Sequence, residues 1–211
     1  MAAAEKRLKG ENTAGRILTA ALDLFSRYGF DQVTMTDVGR AARVAQSAVH
    51  YHFETKDQLW RAALLSLKDG FVAEERMMLA AGKDADPLAQ LKLSMRLFLH
   101  MSMEAPALGR IVMMEGMIGG PRLTWMVKEL MAPRYAALVE IARRAIAAGQ
   151  LKPHPPEQLV IMLHAAAASF FTLAPLMREA FGIDVDDPAR RTAQEALIMD
   201  SVFAGITTNK G

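Results

Sequence analysis

The segment over residues 34–60 carries the pattern that most constrains how this chain of 211 residues can fold. Thr34 has a hydroxyl that can accept a hydrogen bond from a backbone N–H one turn further on, and Asp37 places a carboxylate three residues later. Such a pair is typical of a helix start, and another short helix is predicted over residues 46–53. Thr55 is then predicted to be the N-cap of a longer helix. The segment therefore predicts two short helices joined by a tight turn, followed by the start of a third.

A helix is also predicted just before this segment, over residues 16–28. Apolar side chains recur there at helical spacing, as at Ile17, Ala21 and Leu24. Gly29 follows at once, at a position where helices commonly end in the left-handed conformation that glycine adopts at little cost. Three helices with a tight turn between the second and the third form the plan of a helix-turn-helix. This plan indicates DNA binding rather than a chemical reaction.

At these positions the chain resembles the TetR family of transcriptional regulators. The resemblance is strong over residues 12–62 and extends to the rest of the chain only as a shared architecture. It implies an all-α fold, in which an N-terminal three-helix DNA-binding head with a helix-turn-helix precedes a larger all-helical ligand-binding and dimerisation domain. The positions that follow the family pattern are Ile17, Leu18, Leu24, Phe25, Tyr28, Gly29, Phe30, Thr34, Asp37, Val38, Ala41, Ala42, Val44, His52, Phe53, Lys56 and Leu59.

The chain is expected to have three parts. Residues 1–11 are expected to form a flexible basic N-terminal arm. Residues 12–60 are expected to form the DNA-binding domain, and its linking helix starts near residue 56 and runs to about residue 80. Residues 61–211 are expected to form the ligand-binding and dimerisation domain. Prolines and glycines in that domain predict helices over residues 87–103, 107–116, 122–148, 156–181 and 189–207.

Two departures from the family pattern concern the turn and one aromatic position. The family usually has glycine just before the position of Val44, where this chain has Arg43. Either this turn does not need a positive φ, or Arg43 bears the strain of a conformation that glycine tolerates better. The family often has tyrosine at the position of His50, and here Tyr51 follows instead. Either residue is therefore a candidate for the phosphate contact.

The front of the third helix carries the side chains expected to meet base edges. By the resemblance, Gln46 and Ser47 lie where side chains reach the major groove, and glutamine can pair with adenine through both groups of its amide. Lys56 begins a helix whose backbone N–H groups also attract phosphate. For each of these residues the alternative is an ordinary solvated helix face. The candidate DNA-binding residues are Thr34, Thr36, Arg43, Ala45, Gln46, Ser47, Ala48, His50, Tyr51, His52, Thr55 and Lys56.

Composition argues against several other classes of protein. The chain has no cysteine, which rules out disulfides and cysteine zinc sites, and its net charge of +2 is too small to identify a nucleic-acid binder by itself. Each apolar run is interrupted before it reaches the length of a membrane span. The first residues lack the apolar core of a signal peptide. We therefore expect a cytoplasmic protein with no membrane partner.

No motif for catalysis or for a cofactor stands out. His50 and His52 lie two positions apart on a predicted helix, so they point about 200° apart around its axis and make a poor metal pair. The glycines at 119 and 120 lack the lysine and hydroxyl of a phosphate-binding loop. We expect a protein that is not an enzyme, with no metal site and no cofactor.

Methionines are concentrated between residues 95 and 177. Methionine is adaptable and suits pockets that accept varied apolar ligands, although a methionine-rich helical region is also an ordinary core. Both interpretations stay open. The candidate ligand-binding residues are Met95, Phe98, His100, Met103, Arg110, Met113, Met114, Met117, Trp125, Met126, His164, Phe170 and Phe171.

The last two predicted helices indicate a homodimer. Apolar residues in the final helix recur at spacings of three and four, like the seam of a packed helix pair. The preceding helix is apolar almost all round, and its run of alanines permits close approach of a neighbour. Burial of both helices inside one monomer is the alternative. The candidate interface residues are Ala166, Phe170, Ala196, Met199, Phe203 and Ile206.

Together these features predict a ligand-responsive transcriptional regulator. The resemblance favours a repressor that binds a palindromic DNA operator as a homodimer and is released by a small, mainly apolar molecule. The long helix from Lys56 is the expected lever between the two domains. The alternative is a helical ligand-binding or partner-binding protein whose reading head is degenerate.

Overall fold

The computed structural model describes the backbone of residues 2–67, 82 and 85–208, and the side chains from residue 12 onwards within those ranges. The helices are α1 Ala2–Gln32, α2 Met35–Ala42, α3 Gln46–His52, α4 residues 56–67, α5 Pro87–Glu104, α6 Pro106–Ile118, α7 Pro121–Met126, a π-helical turn Val127–Met131, α8 Ala132–Ala147, α9 Pro156–Thr172, α10 Ala174–Phe181 and α11 Pro188–Ile206. The all-α prediction is confirmed over this part of the chain.

The head, comprising α1 to α4, buries a compact apolar core. Phe25, Val38, Val49 and Trp60 are almost fully excluded from solvent there. The same core also takes in two buried residues of the larger domain, Ile111 from α6 and Met126 from α7, and partly buried residues of that domain pack against it. The head is therefore completed by residues that lie outside the 12–60 segment.

A second core lies between α5, α8, α9 and α11. Leu99, Ala145, Phe171 and Phe203 are among its buried members. Helices α5 and α9 pack against each other, and α8 packs against both. At the far end of this core, Leu151 pairs with Thr207 in an isolated antiparallel bridge that ties the loop before α9 to the end of α11.

Two predicted helices are interrupted in the structure. The helix expected over 156–181 breaks at Leu173, where α9 and α10 meet at an angle of 64°. Pro175 explains the break, because proline lacks an N–H and its ring clashes with the carbonyl four residues earlier. The helix expected over 122–148 contains the π-helical turn, which ends just before Pro133, a residue that likewise has no N–H to donate.

Two other expectations concern the N-terminal arm and the linking helix. The backbone is helical from Ala2, continuous with α1, where a flexible arm was expected over residues 1–11. The linking helix is described as far as residue 67, and its predicted continuation to about residue 80 lies outside the described residues. Within the described ranges, no single helix has the length and hydropathy to cross a membrane, and only the bent pair of α9 and α10 passes that test when taken together.

Candidate nucleic-acid interface and effector cavity

The start of α2 is fixed by a reciprocal pair of hydrogen bonds. The backbone N–H of Asp37 donates to Oγ1 of Thr34 at 3.1 Å, and the N–H of Thr34 donates to Oδ2 of Asp37 at 3.1 Å. The hydrogen bonds from Thr34 hold the pKa of the Asp37 carboxyl below its usual value. The predicted cap is confirmed, and it orients the exposed Thr36 one residue into the helix.

The turn between α2 and α3 requires a left-handed residue. Arg43 has φ 55° and ψ 48°, and its N–H donates to the carbonyls of Arg40 and Gly39. Of the two possibilities left open by the sequence, the structure therefore has the strained one. The carbonyl of Arg43 accepts a hydrogen bond at 3.0 Å from Nη2 of Arg16, which also donates to the carbonyl of Ala42.

Gly39 allows α2 and α3 to approach closely. A Cβ at this position would lie 3.3 Å from the carbonyl oxygen of Val44 and 3.4 Å from Cγ2 of Val49. Sequence reasoning missed both Gly39 and Arg16. A glycine inside a short amphipathic helix was the available signal for the first, whereas the contact of Arg16 spans 26 residues and has no local signature.

Helix α3 turns most of its polar side chains outwards. Val49 is its buried anchor, while Gln46, Ser47, His50 and Tyr51 are exposed, the last with 86% of its surface accessible. Nε2 of Gln46 lies 3.5 Å from Nε2 of His50, so these two residues share one face. The helix therefore presents a row of polar side chains to solvent, and a major groove admits an α-helix. Of the other candidates on this segment, Ala45 is exposed, and Ala48 and His52 are half-buried.

Lys56 is placed differently from the expectation. Its Nζ donates to the carbonyls of Phe30 at 3.0 Å and Asp31 at 3.4 Å, and it lies 4.3 Å from the centre of the Phe30 ring. The ammonium thus ties the start of α4 to the end of α1, because the carbonyls at that end attract a cation. Thr55 caps α4 as predicted, with its Oγ1 accepting from the N–H of Gln58 at 3.1 Å.

Helices α6 and α7 fasten the larger domain to the head. Nε of Arg122 donates to Oε1 of the buried Glu115 at 2.9 Å, and its guanidinium lies 4.3 Å from the centre of the Phe30 ring. The Trp60 and Trp125 rings meet with centroids 5.5 Å apart. None of these contacts was predicted from the sequence. Each joins residues that are distant along the chain, or residues whose burial the apolar periodicity does not indicate.

Three adjoining cavities lie in the larger domain, enclosing about 380, 590 and 490 Å³ of empty space including their mouths. Phe98 and Arg134 line all three, and Tyr135 and His164 line two of them. Oη of Tyr135 lies 2.7 Å from Nδ1 of His164. The ring centroids of His164 and Phe98 lie 4.4 Å apart, with the two planes tilted by 42°. Small-molecule sites are typically lined, like these cavities, by apolar side chains with a few polar groups among them.

Burial keeps the tyrosine–histidine pair neutral. Desolvation, with a smaller contribution from the nearby Arg134 cation, lowers the pKa of His164 to about 4. Desolvation also raises the pKa of Tyr135 to about 12. At neutral pH the pair therefore has no charge.

Four of the predicted ligand-binding residues line these cavities: Met95, Phe98, Met126 and His164. The other nine do not, because the faces of their helices point elsewhere. His100, Met113 and Met117 are exposed, Met114 and Trp125 pack against the head core, Met103, Phe170 and Phe171 belong to the second core, and Arg110 is half-buried outside the three cavities. Sequence reasoning missed Arg134 and Tyr135, which follow the break at the π-helical turn.

The predicted dimer seam is largely interior. Phe203 and Ile206 are buried in the second core of the same chain, with Phe203 only 2% exposed, and Ala166, Phe170 and Met199 are half-buried against that core. Ala196 is exposed. The apolar residues of α11 do recur at spacings of three and four, but the face that they form packs against α5 and α9 of the same chain. The exposed large apolar residues on α9 and α11 are instead Ile161, Met162 and Leu197.

Known proteins resemble this chain in both halves. The sequence profile described as "Bacterial regulatory proteins, tetR family" matches residues 17–63, and that described as "Tetracyclin repressor-like, C-terminal domain" matches residues 87–202. The HTH-type transcriptional regulator RutR of Escherichia coli strain K12 is 30% identical over 175 residues, which cover 81% of this chain and 79% of RutR. A probable acrEF/envCD operon repressor of the same strain is 34% identical over 92 residues, 41% of this chain and 40% of that protein.

Solved structures share the fold at low sequence identity. The hemolysin II transcriptional regulator HlyIIR superposes with a TM-score of 0.70 at 18% identity, covering 95% of this chain and 99% of that chain. The ketosteroid transcriptional regulator KstR2 of Mycobacterium tuberculosis also has a TM-score of 0.70 at 18% identity, with coverages of 93% and 95%. The relatives are transcription regulators rather than enzymes. With both its helix-turn-helix head and its helical domain matched, this chain belongs to the TetR family of bacterial transcriptional regulators.

Proposed function

We propose that this protein is a cytoplasmic repressor that binds a palindromic DNA operator as a homodimer and releases it when a small, mainly apolar molecule binds. The observation that carries the proposal is the geometry of α3, a short helix held by the buried Val49 that turns Gln46, Ser47, His50 and Tyr51 to solvent. Such a helix can enter the major groove and bring polar side chains to base edges.

The proposed roles on the DNA face follow from exposure and chemistry. Gln46 and Ser47 read bases, and Tyr51, the most exposed aromatic of α3, contacts the phosphate backbone together with His50. Arg43 adds a cation beside the turn. Lys56 acts indirectly, because its ammonium binds backbone carbonyls and so positions the start of α4. Its positive charge is not directed at DNA. The left-handed turn is formed with its hydrogen bonds, which argues against the alternative of a degenerate reading head.

The proposed dimer uses the outward faces of α9 and α11. Ile161 and Leu197 leave 54% and 58% of their surface exposed in one chain, and Met162, the residue after Ile161, is 43% exposed. Covering these side chains with the same residues of a second copy would remove apolar area from water. A two-fold axis through this face would place two heads for half-sites about 34 Å apart.

The proposed coupling runs through Met126. This side chain is fully buried in the head core and also lines the 590 Å³ cavity. A molecule that enters the cavity changes what Met126, Leu108 and Val112 pack against, and Leu108 and Val112 lie on α6, which packs against α1. Ligand and DNA then favour different arrangements of the same contacts, which is the requirement for allosteric release.

A gel shift with DNA taken from beside the gene tests the proposal. The protein should retard a fragment that contains an inverted repeat, and the affinity should fall steeply with salt concentration, because several phosphates are neutralised on binding. Absence of any shift at low salt on all fragments flanking the gene would contradict the repressor proposal. An unrelated fragment of equal length measures the sequence-independent part of the binding.

A further inference from the structure

The turn between α2 and α3 is a helix end in which an arginine occupies the position usual for glycine. The N–H of Val44 donates to the carbonyl of Gly39 at 2.9 Å, and the N–H of Arg43 donates to the carbonyl of Arg40 at 3.2 Å. These two hydrogen bonds form a Schellman motif, in which the left-handed residue is most often glycine. Here that residue is Arg43, so the turn forms against the preference of a residue with a Cβ.

Arg16 binds both of the peptide groups that flank this left-handed residue. Its Nη2 donates to the carbonyl of Ala42, which belongs to the peptide group before Arg43. The same nitrogen donates at 3.0 Å to the carbonyl of Arg43, which belongs to the peptide group after it. Because φ and ψ of Arg43 set the angle between these two planar groups, a donor that holds both carbonyls restrains both dihedral angles together.

The guanidinium also suits the charge at this end of α2. The last carbonyls of a helix have no N–H of the helix itself to accept from, and their partial negative charge favours a nearby cation. One guanidinium nitrogen carries two N–H bonds, which can serve two carbonyls at once. Arg40, the basic residue in the last turn of α2, is directed instead to Asp37 at 3.3 Å. The cation at the turn therefore comes from α1.

Helix α3 depends on this turn for its direction. Only Val44 and Ala45 separate Arg43 from Gln46, the first residue of α3, and the methyl side chain of Ala45 cannot cap the helix. A change in φ or ψ of Arg43 would therefore redirect the exposed side chains at the front of α3. Base contacts need side chains within hydrogen-bond distance of base edges, so such a change costs more at a specific site than on unrelated DNA.

We propose that Arg16 is a positioning residue for DNA recognition, which holds the left-handed turn from α1 and so fixes the direction of α3. This inference rests on the proposed function, in which α3 reads the operator. Arg16 acts here through the turn and not as a phosphate contact. An arginine that touched phosphate would strengthen the binding of every DNA sequence alike.

Four full-length proteins test the proposal: the wild type, Arg16→Gln, Arg43→Gly and the double variant Arg16→Gln/Arg43→Gly. Fluorescence anisotropy measures the affinity of each protein for an operator fragment and for an unrelated fragment of equal length, and the ratio of the two affinities is the specificity. Glutamine keeps a good helix former at position 16 without the guanidinium, and glycine adopts the left-handed conformation without strain. The cycle asks whether the need for Arg16 depends on the residue at position 43.

The specificity is expected to depend on Arg16 only while Arg43 is present. Arg16→Gln should lower the specificity by about tenfold, the factor that corresponds to the loss of a charged hydrogen bond. Added to Arg43→Gly, the same substitution should lower it by no more than about twofold, because glycine forms the turn without help. The dependence of the affinity on salt concentration should be the same with and without Arg16, since no phosphate contact is lost.

Thermal unfolding followed by circular dichroism tests the hold on the turn without DNA. Arg16→Gln should lower the melting temperature by about 3–6 °C, and by less than half of that when added to Arg43→Gly. An Arg16→Gln variant that folds only together with Arg43→Gly would support the same coupling. Arg27→Gln is the control, because Arg27 is an exposed arginine of the same helix that pairs with Asp23 at 2.8 Å, and it should leave the specificity unchanged.

Three results would overturn the inference. Equal losses of affinity for both fragments, with a weaker dependence on salt, would make Arg16 a phosphate contact. A lower melting temperature with unchanged specificity would leave it a stabilising residue only, and equal losses of specificity with and without Arg43→Gly would show that it does not act through the turn. A wild-type protein that binds no fragment from beside the gene would contradict the proposed function and, with it, the part of Arg16 in recognition. The melting temperatures would still show whether Arg16 holds the turn.

Discussion

Glu115 and Arg122 form an ion pair at the junction of the two halves of the molecule, with 2.9 Å between Oε1 and Nε. The carboxylate is almost fully buried, and the guanidinium also faces Asp31 at 3.8 Å and the ring of Phe30. The pair therefore joins α6 and α7 to the end of α1. Because removal of one partner leaves a buried charge, this contact is costly to break from one side.

Replacing Arg122 with alanine is expected to lower the free energy of unfolding by about 3 kcal/mol, since Glu115 would remain buried without its cation. Urea denaturation followed by circular dichroism measures the change. Arg143→Ala removes an exposed pair and should cost less than about 1 kcal/mol. Equal effects of the two substitutions on the free energy of unfolding would show that the ion pair of the buried Glu115 stabilises the fold no more than the exposed pair does.

Replacing Arg43 with glycine is expected to raise the free energy of unfolding by about 1 kcal/mol, because the left-handed conformation is strained for a residue with a Cβ. The same substitution removes a cation near the proposed DNA face. We therefore expect a more stable head with weaker, less salt-dependent DNA binding. Arg40→Gly, inside α2, should destabilise the protein by a similar amount. A loss of stability in Arg43→Gly would contradict the argument from strain.

The neutral His164 makes stability depend on pH. Its pKa falls from an ordinary value of 6.5 to about 4 in the folded protein, so the unfolded state binds the proton more readily between these values. The contribution of the neutral His164 to the free energy of unfolding is complete above about pH 6.5. It is lost as the pH falls towards about 4, and the total loss is at most about 3 kcal/mol.

Urea denaturation across this range, compared between the native protein and His164→Gln, isolates the contribution of the histidine from that of the carboxylates. The difference between the two proteins should shrink as the pH falls from about 6.5 to about 4. A difference that stays constant would mean that His164 titrates alike in the folded and unfolded states.

Replacing Leu197 with glutamate is expected to convert the proposed dimer into a monomer, because the charge would be buried against the second copy. Analytical ultracentrifugation measures the mass in solution. Met117→Glu is the control, since Met117 is a more exposed apolar residue, at 75%, and lies on α6 away from the proposed interface. Dimers that persist in Leu197→Glu would place the interface on another face.

Local sequence signals account for most of what was predictable. The capping pair of Thr34 and Asp37, the glycine break at Gly29 and the cap at Thr55 depend on neighbours within four residues. The structure has both caps, and at Gly29 it has a kink within α1 where φ is 76° and the backbone is not helical. The two interior breaks were missed although Pro175 and Pro133 are visible in the sequence, because the apolar periodicity continues across both prolines.

The tertiary arrangement of these residues could not be predicted from the sequence, for a physical reason. The apolar stripe of Phe203 and Ile206 is the same whether it faces a second copy or the core of its own chain, and periodicity does not distinguish these. Likewise, the methionines of the larger domain share one chemistry, yet Met95 and Met126 line cavities and Met117 faces solvent. Arg134 became a candidate only once the fold placed it among apolar walls.

We expect α3 to be the helix that reads DNA, and the binding of operator DNA by the double variant Gln46→Ala/Tyr51→Ala tests this expectation. Fluorescence anisotropy with a labelled operator fragment and an unrelated fragment of equal length separates specific from non-specific affinity. The matched control is Tyr28→Ala/Gln32→Ala, which removes an exposed tyrosine and an exposed glutamine near the end of α1, outside the proposed DNA-binding residues.

We predict that the double variant on α3 keeps its fold and loses at least about 100-fold in affinity for the operator, because a lost bidentate base contact removes about 1–3 kcal/mol of discrimination and a lost phosphate contact adds to the loss of affinity. Its affinity for the unrelated fragment should fall far less. The control should bind like the native protein. Unchanged operator affinity in the α3 variant would contradict the assignment of α3 as the DNA-reading helix.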